Sequence, residues 1–391
     1  MGGIKDSDKK EVEKLLTQRS DDALYLSEFK SGKSSRIIAF GTHGRLYVFS
    51  SKKGAFAIEF HGHLLDLKSI VSKAPSKFAA NFSNGSVEGE LDCTGLINDM
   101  RQMFSALYPG KELFQCDVEP ESRLRDLQEP PERPCGGFVS TYLSMCDYYN
   151  APPRSDIAWD IDNILPVGKR RKLEFEDFEQ PIKPAEFASL VATLSYNKYF
   201  TGMSCSHITM DKQMTQAIGD MLVVNTHLEE LNLSNCGLSK GLVQPIADAF
   251  KANKKSAIQL LDMSHNALGD KDLALLGPGI GGMSRGLISF NATNIGGKKS
   301  GMMGLFNGIK KNVFMSGSLQ TLIVSNNVFD SDGSGALSAY LAQPTGLQVL
   351  QVANCNIKLD QLFASMVRGC QNLERCAFKI FRSQYQYQIS F

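Results

Sequence analysis

A few side chains in this 391-residue sequence have types and spacings able to do chemistry. His61 and His63 stand two residues apart, which puts both imidazoles on one face of an extended segment, and neutral imidazole is a metal ligand. No cysteine, third histidine or H-E-x-x-H string lies at ligand spacing from them, so no metal site is expected. Gly277-Pro278-Gly279-Ile280-Gly281-Gly282 formally satisfies G-x-G-x-x-G, the phosphate-cradling turn that needs a strand before it and a helix start after it. Leu273, Leu275 and Leu276 precede it at helical spacing, so the glycines read as a helix ending. Nine cysteines (Cys93, Cys116, Cys135, Cys146, Cys205, Cys236, Cys355, Cys370, Cys376) form no C-x-x-C pair and read as reduced, mostly buried thiols. No G-x-S-x-G or comparable nucleophile string occurs, so no catalytic residue and no cofactor are expected, and the chain reads as non-enzymatic.

What remains is charge. Lys30, Lys33 and Arg36 cluster, and Lys52 and Lys53 follow in the next loop; Lys169-Arg170-Arg171-Lys172 is a second basic run, read as a solvated turn. The chain as a whole is balanced, with 42 basic against 41 acidic residues, so it has no general field for nucleic acid and none is expected as a partner. With 42% hydrophobic residues it has ample material for packed cores. The N-terminal residues lack an apolar signal core, and no run is apolar enough to span a bilayer, which points to the cytoplasm. Gly2 is not followed by the Ser or Thr that myristoylation wants at position 6, where Asp6 stands.

The elements that must position these groups differ along the chain. Residues 35–40, 45–49, 55–60, 77–82 and 86–91 alternate with period two between turn residues, and Leu96, Met100, Met103, Phe104 and Leu107 then recur at helical spacing up to Pro109-Gly110. Short meandering strands closed by one amphipathic helix predict a pleckstrin-homology-like β-sandwich over residues 21–110, behind an N-terminal extension of residues 1–20. In such a fold the early hairpin loops ring one open end, where Lys30, Lys33, Arg36, Lys52 and Lys53 would meet acidic lipid headgroups. Glu28 lies nearby, and no tight K-x-R pair specifies one headgroup. Residues 111–171, broken by Pro120, Pro130, Pro131, Pro134, Pro152 and Pro153, read as a helical linker and cap, with Trp159, the sole tryptophan, as a hydrophobic plug.

Residues 172–391 carry an internal repeat on the template L-x-x-L-x-L-x-x-N/C-x-L. Leu228, Leu231, Leu233, Cys236 and Leu238 fit at every position. Ile258, Leu261, Met263, Asn266 and Leu268 follow, then Leu319, Leu322, Val324, Asn327 and Phe329, then Leu347, Leu350, Val352, Cys355 and Ile357. A weaker copy is laid on Arg285, Ile288, Phe290, Thr293 and Ile295, and degenerate copies flank the array at Met203 and Cys376. The second leucine of each unit belongs to a short strand pointing into a stacked core, and the Asn or Cys satisfies backbone groups of the following bend. This predicts a ribonuclease-inhibitor-like αβ leucine-rich-repeat solenoid of about seven repeats, and a multidomain α+β chain overall. Residues flanking the inward leucines then face the concave surface: Glu230, Asn232, Leu260, Asp262, Leu287, Ser289, Thr321, Ile323, Val349 and Gln351, a mixed face suited to protein recognition. Near the end Tyr385, Tyr387, Ile389 and Phe391 alternate and offer no polar cap.

Several strings resemble the CARMIL family, linkers of actin capping protein, actin-branching complex and myosin-I. They are Pro134-Cys135-Gly136-Gly137-Phe138, Tyr142, Cys146-Asp147 and Trp159-Asp160-Ile161-Asp162 in the linker, Leu173-Glu174-Phe175-Glu176-Asp177-Phe178 and Tyr196-Asn197-Lys198-Tyr199-Phe200-Thr201 at the start of the repeats, and Arg368-Gly369-Cys370 further on. The resemblance covers essentially the whole chain. It implies a non-catalytic scaffold, cytoplasmic and cytoskeletal, peripheral at the plasma membrane of the lamellipodium, whose partners are an acidic phospholipid membrane and actin-regulatory proteins. Members of that family continue through many more repeats, a helical dimerisation region and a tail that binds capping protein; no such tail motif occurs in this sequence, and its oligomeric state is open. A GTPase-activating repeat protein and a filament-binding adaptor of the tropomodulin kind are the alternatives.

Overall fold

The structure is a computed structural model that describes residues 4–52, 55–179, 181–297, 299–371, 375–378 and 387–389. It falls into two compact units, residues 1–153 and 154–391.

Among its described residues the first unit is an eight-stranded sheet with three α-helices. In chain order it comprises α1 (Asp6–Thr17), β1 (Ala23–Ser31), β2 (Ser34–Gly41), β3 (Arg45–Lys52), β4 (Ala55–His63), β5 (Leu67–Ala74), β6 (Lys77–Phe82), β7 (Gly85–Glu90), α2 (Thr94–Leu107), β8 (Gln115–Val118) and α3 (Phe138–Tyr149). The strands run β4-β3-β2-β1-β7-β6-β5-β8, antiparallel except for β8, which lies parallel to β5. Strands β1 and β5 escape the sequence pattern for physical reasons. In β5 the inward position beside Ile70 is taken by Ser72, whose hydroxyl donates to Lys77 O at 2.7 Å, so the apolar alternation breaks. In β1 only Phe29 is fully buried.

Both faces of β2 and β3 are covered. Ile38, Phe40, Leu46 and Val48 are buried on one face, and on the other α1 packs Val12 and Leu16 onto Ile37, Ala39, Tyr47 and Phe49. Burying those two side chains stabilises the N-terminal helix by about 1.5–3 kcal/mol each, which makes a short helix of modest propensity persist. Helix α2 ends where Pro109-Gly110 predicted, with Leu96, Ile97, Met100, Phe104 and Leu107 on its buried face.

The second unit begins with α4 (Ser155–Asn163) and then alternates short strands with helices: β9 (Lys172–Glu174), α5 (Pro184–Leu194), β10 (Gly202–Ser204), α6 (Lys212–Val224), β11 (Glu230–Asn232), α7 (Gln244–Ala252), β12 (Leu260–Asp262), α8 (Asp270–Gly281), β13 (Ser289–Asn291), α9 (Lys299–Lys311), α10 (Met315–Ser318), β14 (Thr321–Ile323), α11 (Ser331–Leu341), β15 (Val349–Gln351), α12 (Leu359–Gly369), β16 (Arg375–Phe378) and β17 (Tyr387–Ile389). Strands β9 to β16 form one parallel ladder in chain order, and β17 pairs antiparallel to β16. Cys376 and Tyr387 and Ile389 are described by backbone only, and Leu373, Tyr385 and Phe391 lie outside the described residues.

Each of the strands β9 to β15 buries its central residue (Leu173, Met203, Leu231, Leu261, Phe290, Leu322, Leu350), and all but β10 leave that residue's two neighbours at least partly exposed on the open face. The Asn of the template acts as the sequence argument required. Asn266 Nδ2 donates to Leu233 O and Met263 O at 2.8 and 2.9 Å, while its Oδ1 accepts from Cys236 N and Leu238 N at 3.0 Å each. Where Cys takes that place its thiol donates instead: Cys236 Sγ to Cys205 O at 2.9 Å and Cys355 Sγ to Val324 O at 3.1 Å. Burial pushes these thiols up, Cys236 to about 12 and Cys355 to about 11, so they stay protonated donors.

The weaker repeat is corrected by two residues. Leu261 pairs with Phe290, so Leu287, Phe290, Ala292 and Ile295 hold the places given to Leu228, Leu231, Leu233 and Cys236. Ile295 N donates to Asn327 Oδ1 at 2.9 Å, as Cys236 N does to Asn266. Ile288 and Phe290 lie two apart on the same face of the strand, so alternation alone allows either as its centre, and pairing across the sheet selects Phe290.

The glycine string closes α8, and its glycines are where neighbouring helices touch. A methyl group on Gly277 would lie 2.7 Å from Leu305 Cα and closer still to the Gly304 carbonyl, and one on Gly279 would lie 2.9 Å from Ala247 Cα. Helices α7, α8 and α9 therefore approach backbone to backbone along this seam.

Candidate functional site

Two surfaces collect the residues singled out in the sequence. The first is one end of the first unit's sheet. Ile37 pairs with Phe49, and Lys30 with both Ser35 and Glu90, so the β1–β2, β3–β4 and β5–β6 turns all lie at this end. Lys30 and Lys33 are exposed there. Arg36 is tied down, its guanidinium 2.8 Å from Glu59 Oε1 and donating to Ser31 Oγ at 2.9 Å. The Lys52 side chain and the whole of Lys53 lie outside the described residues, although the Lys52 backbone pairs with Ala55 at this end.

Two further lysines belong to the same end: Lys73 escaped because β5 was not recognised, and Lys77, the first residue of the expected 77–82 strand, because without β5 the turn before it had no place. Lys73 and Lys77 join Lys30 around a concavity of about 410 Å³ that also has Phe78, Glu88 and Glu90 in its wall. Hydrogen bonds to Asp117 at 2.5 Å and Glu119 at 2.8 Å raise the Lys73 ammonium above its ordinary range. The charge at this end is thus mixed, with Lys30, Lys33 and Lys77 outside any of these ion pairs.

The two histidines have structural roles. Arg45 donates to Asp147 Oδ2 at 2.5 Å, to Asp147 O at 3.0 Å and to His61 Nδ1 at 2.9 Å, joining β3 to α3. His63 is fully buried; its Nδ1 accepts from Leu65 N at 3.2 Å and its Nε2 faces Ser144 Oγ at 3.2 Å. Ser144 donates to His43 O at 2.6 Å and meets Tyr108 at 2.6 Å. Burial, then the neighbouring Arg45 charge, drives the His63 imidazole down to about 3 and lowers His61 as well. Among the described residues no group of three His, Cys, Asp or Glu side chains is arranged to hold a metal ion.

The second surface is the open face of the parallel sheet. Register aligns Lys172, Gly202, Glu230, Leu260, Ser289, Thr321 and Val349 in one row, and Glu174, Ser204, Asn232, Asp262, Asn291, Ile323 and Gln351 in the next. Nine of the ten residues expected on this face lie in these rows. Leu287 does not: it is a fully buried core residue, displaced from the face by the register correction. Asn291 takes its place, and Lys172 and Glu174 extend the face toward the start of the unit, while Gly202 and Ser204 stand in the same rows but are buried. Flanking positions around Leu173 and Met203 were the available signal for these four.

Chemistry is graded along the rows. At the β9–β12 end Lys172 Nζ lies 2.6 Å from Glu230 Oε1 and 3.9 Å from Glu174, Ser204 donates to Glu176, and Asn291 Nδ2 donates to Asp262 at 2.8 Å. At the β14–β15 end Thr321, Ile323 and Val349 are neutral, and Leu260 on β12 is 37% exposed. Two arginines of the basic run are engaged locally: Arg170 lies 3.2 Å from Asp177, and Arg171 stacks 4.4 Å above the Tyr199 ring. Trp159 is 58% exposed on α4 and is not a buried plug.

A parallel ladder of short strands, with Asn or Cys at the bends after β11, β12, β14 and β15 and a helix after each of these strands, defines a leucine-rich-repeat protein. The leucine-rich-repeat domain of the CARMIL family matches residues 135–385, and the chain belongs to that family. It is 31% identical over 388 residues to Protein CARMIL of Dictyostelium discoideum, covering 95% of this chain and 36% of that protein. Capping protein, Arp2/3 and myosin-I linker protein 3 of Mus musculus is 26% identical over 350 residues, 86% of this chain and 25% of its own length. The Rho GTPase-activating protein gacW of Dictyostelium discoideum is 25% identical over 361 residues, 89% of this chain and 32% of that protein. The chain thus spans about a third or less of these relatives. Among solved structures, Leiomodin-1 Actin-Binding Site 2 aligns at 17% identity with a TM-score of 0.33, over 42% of this chain and 90% of that one, a likeness too slight to bear on fold or partner.

Proposed function

We propose that this chain is a non-catalytic, membrane-associated scaffold that regulates actin filament organisation. The observation that carries the reading is the 31% identity to Protein CARMIL across 95% of the chain, spanning both units. The first unit acts as a pleckstrin-homology-like sandwich whose hairpin end, with Lys30, Lys33, Arg36, Lys52 and Lys53, meets an acidic phospholipid surface. The second acts as a leucine-rich-repeat solenoid whose open face, charged at Lys172, Glu230 and Asp262 and apolar at Leu260, Ile323 and Val349, receives an actin-regulatory protein. The working location is the cytoplasm and cytoskeleton, peripheral at the plasma membrane of the lamellipodium.

Co-sedimentation with phosphatidylserine-containing and pure phosphatidylcholine vesicles tests the lipid role. Acid-dependent pelleting that falls when Lys30, Lys33, Arg36, Lys52 and Lys53 are changed to Glu supports it; pelleting that is absent, or unchanged by the substitutions, refutes it. A second reading, a GTPase-activating adaptor, is favoured by the similarity to gacW. Stimulated GTP hydrolysis by a Rho-type GTPase would establish it, and loss of that stimulation on changing Asp262 and Glu230 to Lys would place it on the open face.

A further inference from the structure

The turns that lead from helix to strand in the second unit are stitched into one continuous rim. Asn253 Nδ2 donates to Leu222 O and Asn225 O at 2.7 and 2.6 Å. Asn312 Nδ2 donates to the carbonyls of Ile280, Met283 and Arg285 at 3.1, 3.2 and 3.3 Å. Lys254 Nζ donates to Gly282 O at 3.0 Å, joining the two intervening turns. The ends of α6, α7, α8 and α9 therefore present neighbouring turns along one edge.

That edge is cationic. Lys254 and Lys255 after α7, Arg285 after α8, and Lys310 and Lys311 at the end of α9 are all exposed, with Lys251 half-buried beside them. The carboxylates near it in the chain are Asp220 on α6, Glu229 just before β11 and Asp248 on α7, the last 3.7 Å from Lys251. Cations at helix C-termini are favoured by the helix dipole, which accounts for some of this charge. It does not account for the apolar residues among them: Val313 is 78% and Phe314 55% exposed, consecutive in the turn after Lys310 and Lys311, and Val223 and Val224 are exposed at the end of α6.

We infer that this rim is a second contact for an acidic lipid bilayer, separate from the hairpin end of the first unit. A ring and a valine on a turn tip, fringed by lysines, match the chemistry of the bilayer interface: the apolar pair enters the headgroup boundary while the ammonium groups meet lipid phosphates. An acidic protein would be attracted by the same charges. A two-residue wedge, however, supplies little of the roughly 800 Å² per partner that a stable protein contact covers, whereas for a membrane the cations carry most of the attraction.

The test uses the full chain and vesicles of phosphatidylcholine with and without phosphatidylserine. One variant carries Lys254→Glu, Lys255→Glu, Arg285→Glu, Lys310→Glu and Lys311→Glu, a second Val313→Ser and Phe314→Ser, and a third the charge reversals at the hairpin end. The substituted rim positions are all exposed, and for each variant a thermal midpoint equal to the parent's confirms folding. Charge reversal on the rim is expected to lower partition onto acidic vesicles about tenfold or more. The serine variant should lower it severalfold while keeping its salt dependence. If only the hairpin variant loses binding, the rim inference is overturned and the proposed lipid role of the first unit stands; if only the rim variants lose it, the reverse holds. Unchanged vesicle binding by the rim variants together with loss of pelleting on actin filaments would overturn the membrane assignment in favour of an acidic protein surface.

Discussion

Adding a single methyl group to the α8 seam separates close packing from a nucleotide turn as the reason for the glycine string. In Gly277→Ala the new Cβ meets backbone atoms of Gly304 and Leu305, which no rotamer change can move aside. Overpacking costs about 1–3 kcal/mol, and a backbone collision belongs at the upper end of that range. The better helix propensity of alanine offsets about 1 kcal/mol. A net loss of about 2 kcal/mol remains, which at a urea slope of about 3 kcal/mol/M lowers the unfolding midpoint by about 0.7 M. The control is Gly335→Ala in α11, where an added Cβ meets nothing within 4 Å. It keeps the propensity gain and should raise the midpoint by about 0.2–0.3 M. Urea titrations of both variants followed by far-UV circular dichroism give the comparison. A Gly277→Ala protein as stable as the parent, or more stable, would refute the packing argument.

Two other outcomes follow from the buried groups. His63 is held neutral down to about pH 3, while in the unfolded chain it titrates near 6.5, so between these values the unfolded state binds one more proton. Stability from this group is complete above pH 6.5 and declines on acidification by up to about 1.4 kcal/mol per pH unit. Urea midpoints at pH 7, 6 and 5 should converge in His63→Gln relative to the parent, and parallel pH dependences would show that His63 is not responsible. Leu287→Ala should cost about 2–5 kcal/mol, as core truncations do, whereas Leu260→Ala on the open face should cost less than about 1 kcal/mol. Thermal unfolding of the pair distinguishes the observed register from the one in which Leu287 faces outward.

The places where sequence reading stopped short have local causes. Strand β5 was hidden because Ser72 is satisfied internally by Lys77 O and so occupies an inward position that the alternation rule reserves for apolar residues. With β5 went Lys73 and the β5–β6 turn that brings Lys77, itself in a segment read as a strand, to the hairpin end. The N-terminal helix gave no sign of docking, since Val12 and Leu16 are only two apolar residues amid charge and matter because Tyr47 and Phe49 receive them. His61 and His63 looked like a ligand pair because spacing is all that sequence records. Their partners, Arg45, Asp147 and Ser144, are distant in the chain and arrive only with β3 and α3.

The repeat, by contrast, was local information. A template of leucines and one Asn or Cys within eleven residues specifies a strand, its buried centre and its bend, because each of those features is decided by near neighbours along the chain. Periodicity therefore determined the architecture of the second unit and nine of the ten residues expected on its open face. The tertiary structure decided what periodicity leaves degenerate: whether 288 or 290 centres a strand, which glycines separate helices and which merely end them, and which cations stand together on a rim. Each of these depends on contacts between residues about thirty positions apart, where cross-strand pairing and helix packing set the free energy and the sequence pattern by itself is silent.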